Sequence, residues 1–144
     1  MNYLMVLKSL GTVLICESIA MMPSLAVALA DGGKDARAFA LTIAMTLVLG
    51  VSGHFIKPKN KNIYAKDGFA IVAIGWLMIS FFAALPFFLS GAIPSFADSF
   101  FEASSGLTTT GATILTEVES LSKAILFWRS FTHWIGGMGV LVFL

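Results

Sequence analysis

The chain has 144 residues, 58% apolar and only 12% charged, with a formal net charge of +1. Those proportions depart from soluble domains and place the chain in a lipid bilayer. Its lysines and arginines are scattered or confined to one loop, so the basic stripe needed to hold nucleic acid is absent. No Cys/His cluster has metal-site spacing, and Cys16, the single cysteine, reads as a small buried hydrophobe.

A helix needs about 20 mostly apolar residues to cross the hydrocarbon core. Four stretches meet that length: Leu10 to Ala30, Ala38 to Ile56, Gly68 to Ser90 and Lys123 to Leu144. The first carries Glu17 and Pro23, the second has no Asp, Glu, Lys or Arg, and the fourth is interrupted by Arg129 and His133. A signal-peptidase pattern at 28–30, "ALA", is the rival for the first stretch, but Glu17 and full spanning length argue against a cleaved leader. Pro23 and Pro86 are expected to kink their helices.

The loop "KPKNKNIYAKD" sets Lys57, Lys59, Lys61 and Lys66 against one acid, and short lysine-rich loops stay cytoplasmic. The amino terminus is then cytoplasmic, "DGGKDAR" at 31–37 is external, and the segment from Gly91 to Lys123 begins and ends outside. Within it, Ser95 and Asp98 fit the S-x-x-D capping pattern, so a helix is expected at 95–105, with Gly106 ending it. About eleven residues give roughly 16 Å, half the hydrocarbon thickness.

After that half-helix comes "SGLTTTGATIL". Irregular backbone at such depth is tolerated only where protein buries it or where it lines a watery cavity, so 106–115 reads as a re-entrant loop. Its threonines offer uncharged oxygens, Gly111 permits dihedrals that turn a carbonyl toward an axis, and the half-helix points its negative end at the same place. Such a set suits a partly dehydrated cation.

Other polar residues read more plainly. Glu17 is expected to be protonated, paired or turned toward protein, with structural pairing the favoured case. Glu102 and Arg129 both lie toward the outer side and are expected to pair and hold the half-helix. His133, one turn after Arg129, reads as a packed histidine and His54 as interfacial, while Trp76, Trp128 and Trp134 suit packing or membrane boundaries. "GGMG" at 136–139 lacks the lysine of a phosphate loop and allows close helix contact or a bend. An intramembrane hydrolase using His133 and Asp98 finds no nucleophile elbow, so no enzyme is expected.

"FFEASSGLTTTGATIL" followed by "LSKAILFWRSFTHWIGGMGVLVFL" closely resembles the first pore repeat of the Trk/Ktr/HKT superfamily of potassium transporters, in particular its bacterial Trk membrane subunits. "MMPSLAVALADGGKDARAF", "KDGFAIV" and "ALPFFLSGAIP" extend the likeness over nearly the whole chain. The resemblance implies an all-α integral membrane protein, in which residues 1–67 form two leading transmembrane helices with a lysine-rich cytoplasmic loop. Residues 68–144 would form one membrane-pore-membrane repeat: outer helix 68–90, pore half-helix 95–105, filter loop 106–115 and second helix 123–144. It implies potassium coordination at Thr109 and Thr110, flanked by Thr108 and Gly111, with potassium as transported ion and no cofactor. It also implies homodimers of the full-length protein in the bacterial inner membrane, controlled by a cytoplasmic nucleotide-binding subunit. A ring needs four such repeats and one is found here, so the chain is expected to be the amino-terminal part of a longer transporter. The competing expectation is a non-conducting membrane subunit that folds with a partner.

Overall fold

A computed structural model of the chain describes residues 2–58 and 64–143, with the backbone alone for 139–143. Five helices follow in order: α1 (Tyr3–Ala30), α2 (Ala36–His54), α3 (Ala65–Leu89), α4 (Phe96–Leu107) and α5 (Lys123–Phe143). Among the described residues there is no strand. Lys59 and Lys61 of the lysine-rich loop, and Leu144 at the end of the fourth expected span, lie outside the described residues.

The first three helices are long and apolar enough to cross a membrane. α1 begins at Tyr3 rather than near Leu10, because Asn2 accepts from the Met5 amide and caps the helix before its first apolar turn. α1 runs through Pro23 and α3 through Pro86 without ending. α5 is 21 residues long and carries Lys123, Arg129 and His133. The three length-and-apolarity spans do not include it.

Lipid cannot drive apolar helices together, so close packing and internal hydrogen bonds must. α1 and α2 meet through Gly11 and Gly50: a Cβ on Gly11 would lie 2.7 Å from the Gly50 carbonyl oxygen. Thr42 and Thr46 of α2 turn their hydroxyls back to the carbonyls of Ala38 (2.8 Å) and Thr42 (2.9 Å), which lets them pack in an apolar setting without an unpaired donor. Trp128 of α5 joins three helices. Its Nε1 donates to the Ala83 carbonyl of α3 at 3.0 Å, and its ring meets Phe39 of α2 edge-on, with centroids 6.3 Å apart. Around it lies the main core, including Met21, Phe87 and Ile125.

The two ends of the bundle are tied by polar groups. At one, the Asn2 amide donates to Asp67 Oδ1 (2.9 Å) and the Tyr64 amide to Oδ2 (3.1 Å), pinning the start of α1 to the start of α3. At the other, Lys123 pairs with Asp31 at 2.9 Å and the Ser122 hydroxyl donates to Asp35, linking the α1–α2 turn to the start of α5.

A candidate ion-filter loop on a half-length helix

α4 is the short helix of the fold, and twelve residues at about 1.5 Å each give roughly 18 Å, a little over half the hydrocarbon thickness. Ser95 caps it, its side chain accepting from the Asp98 amide at 3.4 Å. The helix packs on α3 and α5, burying Ser99, Glu102, Ala103, Ser105, Gly106 and Leu107.

The expectation that Gly106 ends α4 is wrong. Helix continues to Leu107, and the left-handed residue is Thr109, with φ of 56°. The Thr109 amide donates to the Gly106 carbonyl and the Thr110 amide to the Ser105 carbonyl, both at 2.9 Å. This pair of bonds is a Schellman closure with threonine where glycine usually stands. A β-branched residue costs about 1–2 kcal/mol in that region, so local strain is concentrated at one of the residues predicted to meet an ion. Gly106 is needed for another reason. A Cβ there would come within 2.5 Å of the Thr132 hydroxyl on α5, so the glycine marks a close helix crossing.

Beyond the closure, Thr108, Thr109, Thr110 and Gly111 are all exposed. The hydroxyls of Thr108 and Thr110 lie 2.8 Å apart, and Thr109 Oγ1 donates to the Thr108 carbonyl at 2.7 Å. Gly111 has φ of 76° and open space about its Cα, so backbone conformation alone demands glycine there.

What holds this loop is the buried face of α4. Glu102, with a side chain only 1% exposed, accepts from Arg129 Nε at 2.6 Å. It also accepts from Thr113 Oγ1 at 3.0 and 2.9 Å and from the Ile114 amide at 3.3 Å. Ser105 Oγ donates to the Ala112 carbonyl at 2.6 Å. One carboxylate thus ties together the half-helix, the returning limb of the loop and α5. Arg129 is 20% exposed, so the pair is largely withdrawn from water. Sequence reasoning brings Glu102 and Arg129 forward but misses Ser105 and Thr113, whose only signal is a hydroxyl on each side of the glycine turn. Ser105→Ala is expected to lower stability by about 1 kcal/mol, the net worth of one hydrogen bond, read by thermal unfolding of the purified protein.

The other singled-out residues fall elsewhere. His133 Nδ1 bonds its own helix at the Arg129 carbonyl, 2.9 Å away, and His54 meets Thr12 at 3.1 Å. Trp128 is buried and Trp134 exposed. Cys16, expected to be buried, is exposed on α1. Glu17 is buried as expected, but among the described residues neither of its oxygens has a hydrogen-bond partner. No group of His, Cys, Asp and Glu that could hold a metal ion occurs among the described residues.

The family described as TrkH, cation transport protein, matches residues 35–144. The chain is 37% identical over 148 residues to the Trk system potassium uptake protein TrkH of Halomonas elongata, covering 99% of this chain and 30% of that protein. It is 35% identical over 127 residues to the Trk system potassium uptake protein TrkG of Escherichia coli, covering 87% of this chain and 26% of that one. The crystal structure of the potassium transporter TrkH from Vibrio parahaemolyticus superposes with a TM-score of 0.91 at 34% identity, over 99% of this chain and 31% of the other. The chain therefore spans about a third or less of the length of the relatives it matches. With a family match running from the first turn-and-helix boundary to its last residue, the chain belongs to the TrkH family of cation transport proteins.

Proposed function

We propose that this chain contributes to potassium uptake across a bacterial inner membrane by supplying one quarter of a cation selectivity filter. The observation that carries this reading is the loop at the carboxyl end of α4: Thr108 to Gly111, exposed, uncharged and rich in oxygens, with left-handed backbone at Thr109 and Gly111. Carbonyl and hydroxyl oxygens held at fixed spacing replace part of the water shell of an alkali cation, and the negative end of a half-length helix favours positive charge there. Potassium is the ion named for the relatives, and in this reading Thr109 and Thr110 meet it, with Thr108 and Gly111 beside them.

Exposure of the loop supports a ring completed from outside these 144 residues. A single wall leaves an open side, and the relatives are about three times longer than this chain. In this reading α4 and the loop enter the membrane from the outer face and return to it, α5 crosses as the fourth span, and the amino terminus is cytoplasmic. The full-length protein is a dimer governed by a cytoplasmic nucleotide-binding subunit.

Growth of an uptake-deficient bacterium on limiting potassium tests the reading. The full-length transporter containing these residues is expected to restore growth, and residues 1–144 alone are not, because one wall encloses no path. Gly111→Ser in the full-length protein is expected to weaken discrimination of potassium from sodium. Its φ of 76° costs an L-residue about 1–2 kcal/mol, enough to move the carbonyls that the loop presents. Unchanged selectivity in paired potassium and sodium flux measurements would remove Gly111 from the filter.

A further inference from the structure

Glu17 sits in the middle of α1, a helix of 28 residues that is long and apolar enough to cross a membrane. It is 7% exposed, and among the described residues neither carboxylate oxygen has a hydrogen-bond partner. It forms part of the wall of a groove of about 440 Å³ between α1, α3 and α5, whose lining includes Ser9, Cys16, Ile79, Leu107 and Ile135. No Lys, Arg or His lines that groove among the described residues. Cys16 is exposed. Leu107 is the last residue of the half-length helix, so the groove runs beneath the loop that the proposed filter uses.

An acid at bilayer depth faces the bundle interior and finds a donor, since hydrocarbon offers none. The described residues supply the acid and a largely apolar seat, and although Ser9 and Thr12 line the same groove, none of the described residues donates to Glu17. The relatives carry more than twice as much additional polypeptide as the part matched here, and in the reading proposed above that remainder supplies the further membrane helices that complete the pore. We propose that the groove between α1, α3 and α5 seats an apolar helix from another part of the same transporter, and that a Lys, Arg, Asn or Gln side chain on that helix donates to Glu17. The seat would brace the underside of the half-length helix through Leu107. This inference rests on the reading in which further repeats complete the pore, and it adds the place and chemistry of one contact between them.

Photo-crosslinking in the intact transporter tests it. A benzophenone amino acid placed at position 16 is expected to couple mainly to a transporter peptide outside residues 1–144. The same probe at Val48, which is 68% exposed on α2, is expected to couple mainly to lipid. Lipid adducts alone at position 16, or coupling only within residues 1–144, overturn the proposal. Glu17→Lys is expected to abolish potassium uptake, and an acidic residue in place of the donor on the cross-linked helix is expected to restore part of it. No rescue by any acidic substitution on that helix counts against the donor pairing, whereas the position-16 result does not depend on a variant of Glu17. The two readings fail separately: a transporter with full uptake and Gly111-dependent selectivity but lipid-only coupling at position 16 keeps its filter and loses this contact.

Discussion

Gly136→Ala is expected to abolish transport and to leave little folded protein. A Cβ on Gly136 would lie 2.1 Å from the carbonyl oxygen of Leu107, 2.7 Å from its carbonyl carbon and 3.0 Å from its Cα. All three are backbone atoms at the end of α4, so no side chain can swing aside to admit the methyl group. Either α5 moves away from α4 or the Schellman closure at Thr109 and Thr110 opens. Overpacking of this kind costs about 3 kcal/mol at the upper end of its usual range, a large share of the stability of an ordinary domain. Gly137→Ala is the matched control, since the nearest atom to its added Cβ is a methyl carbon of Thr109 at 3.9 Å, an ordinary contact. Detergent-solubilised yield and thermal unfolding of the two variants should separate widely, and equal stability would show that α5 does not lie against the end of α4 as described.

Reversal of either charge in the Glu102–Arg129 pair is expected to cost at least as much. Removing one partner from a buried pair leaves the other charge uncompensated, typically at about 3–5 kcal/mol. Here Glu102 is the more buried partner, and it also holds Thr113 and the Ile114 amide. Glu102→Arg therefore puts two cations together and releases the returning limb of the loop, whereas Arg129→Glu leaves those loop bonds without their counter-charge. Potassium uptake is expected to vanish in both single variants and to recover in part in the double swap. Recovery should stay incomplete because an arginine at 102 donates where Thr113 and Ile114 need an acceptor. Full activity in both single variants would mean that the carboxylate is not what positions the loop. Glu102→Gln is the milder probe. It keeps one acceptor oxygen and turns the other into an amide nitrogen that cannot accept, so its defect combines the lost charge with the loss of the bond from either Arg129 or Ile114.

Much of the architecture is legible along the chain because its causes are local. Helix length follows from the number of apolar residues between polar breaks, and the cap at Ser95 follows from a hydroxyl three residues before Asp98. The loop after α4 stands out for the same reason: three threonines and a glycine have no place in a continuous apolar helix. Errors arise where a residue type has two uses. Gly106 reads as a helix terminator, yet its missing side chain serves the crossing with Thr132, and termination falls to Thr109 in a conformation that threonine rarely adopts. Cys16 reads as buried because its neighbours are apolar, but on a membrane helix apolar surroundings in sequence do not distinguish a core face from an exposed one.

Sequence by itself determined that this is a membrane chain of apolar helices, with one short capped helix leading into an oxygen-rich glycine loop, since composition, helix length and capping are properties of consecutive residues. Tertiary structure alone decided which groups hold that loop. Glu102 reaches Thr113, Ile114 and Arg129, and Ser105 reaches Ala112, only because α4 ends in a tight reversal and α5 passes within backbone contact of Leu107. It also left Glu17 buried and without a donor among the described residues, an outcome that no spacing along α1 reveals. Hydrogen bonds and close contacts depend on distances between residues far apart in the chain, and those distances exist only once the helices have packed.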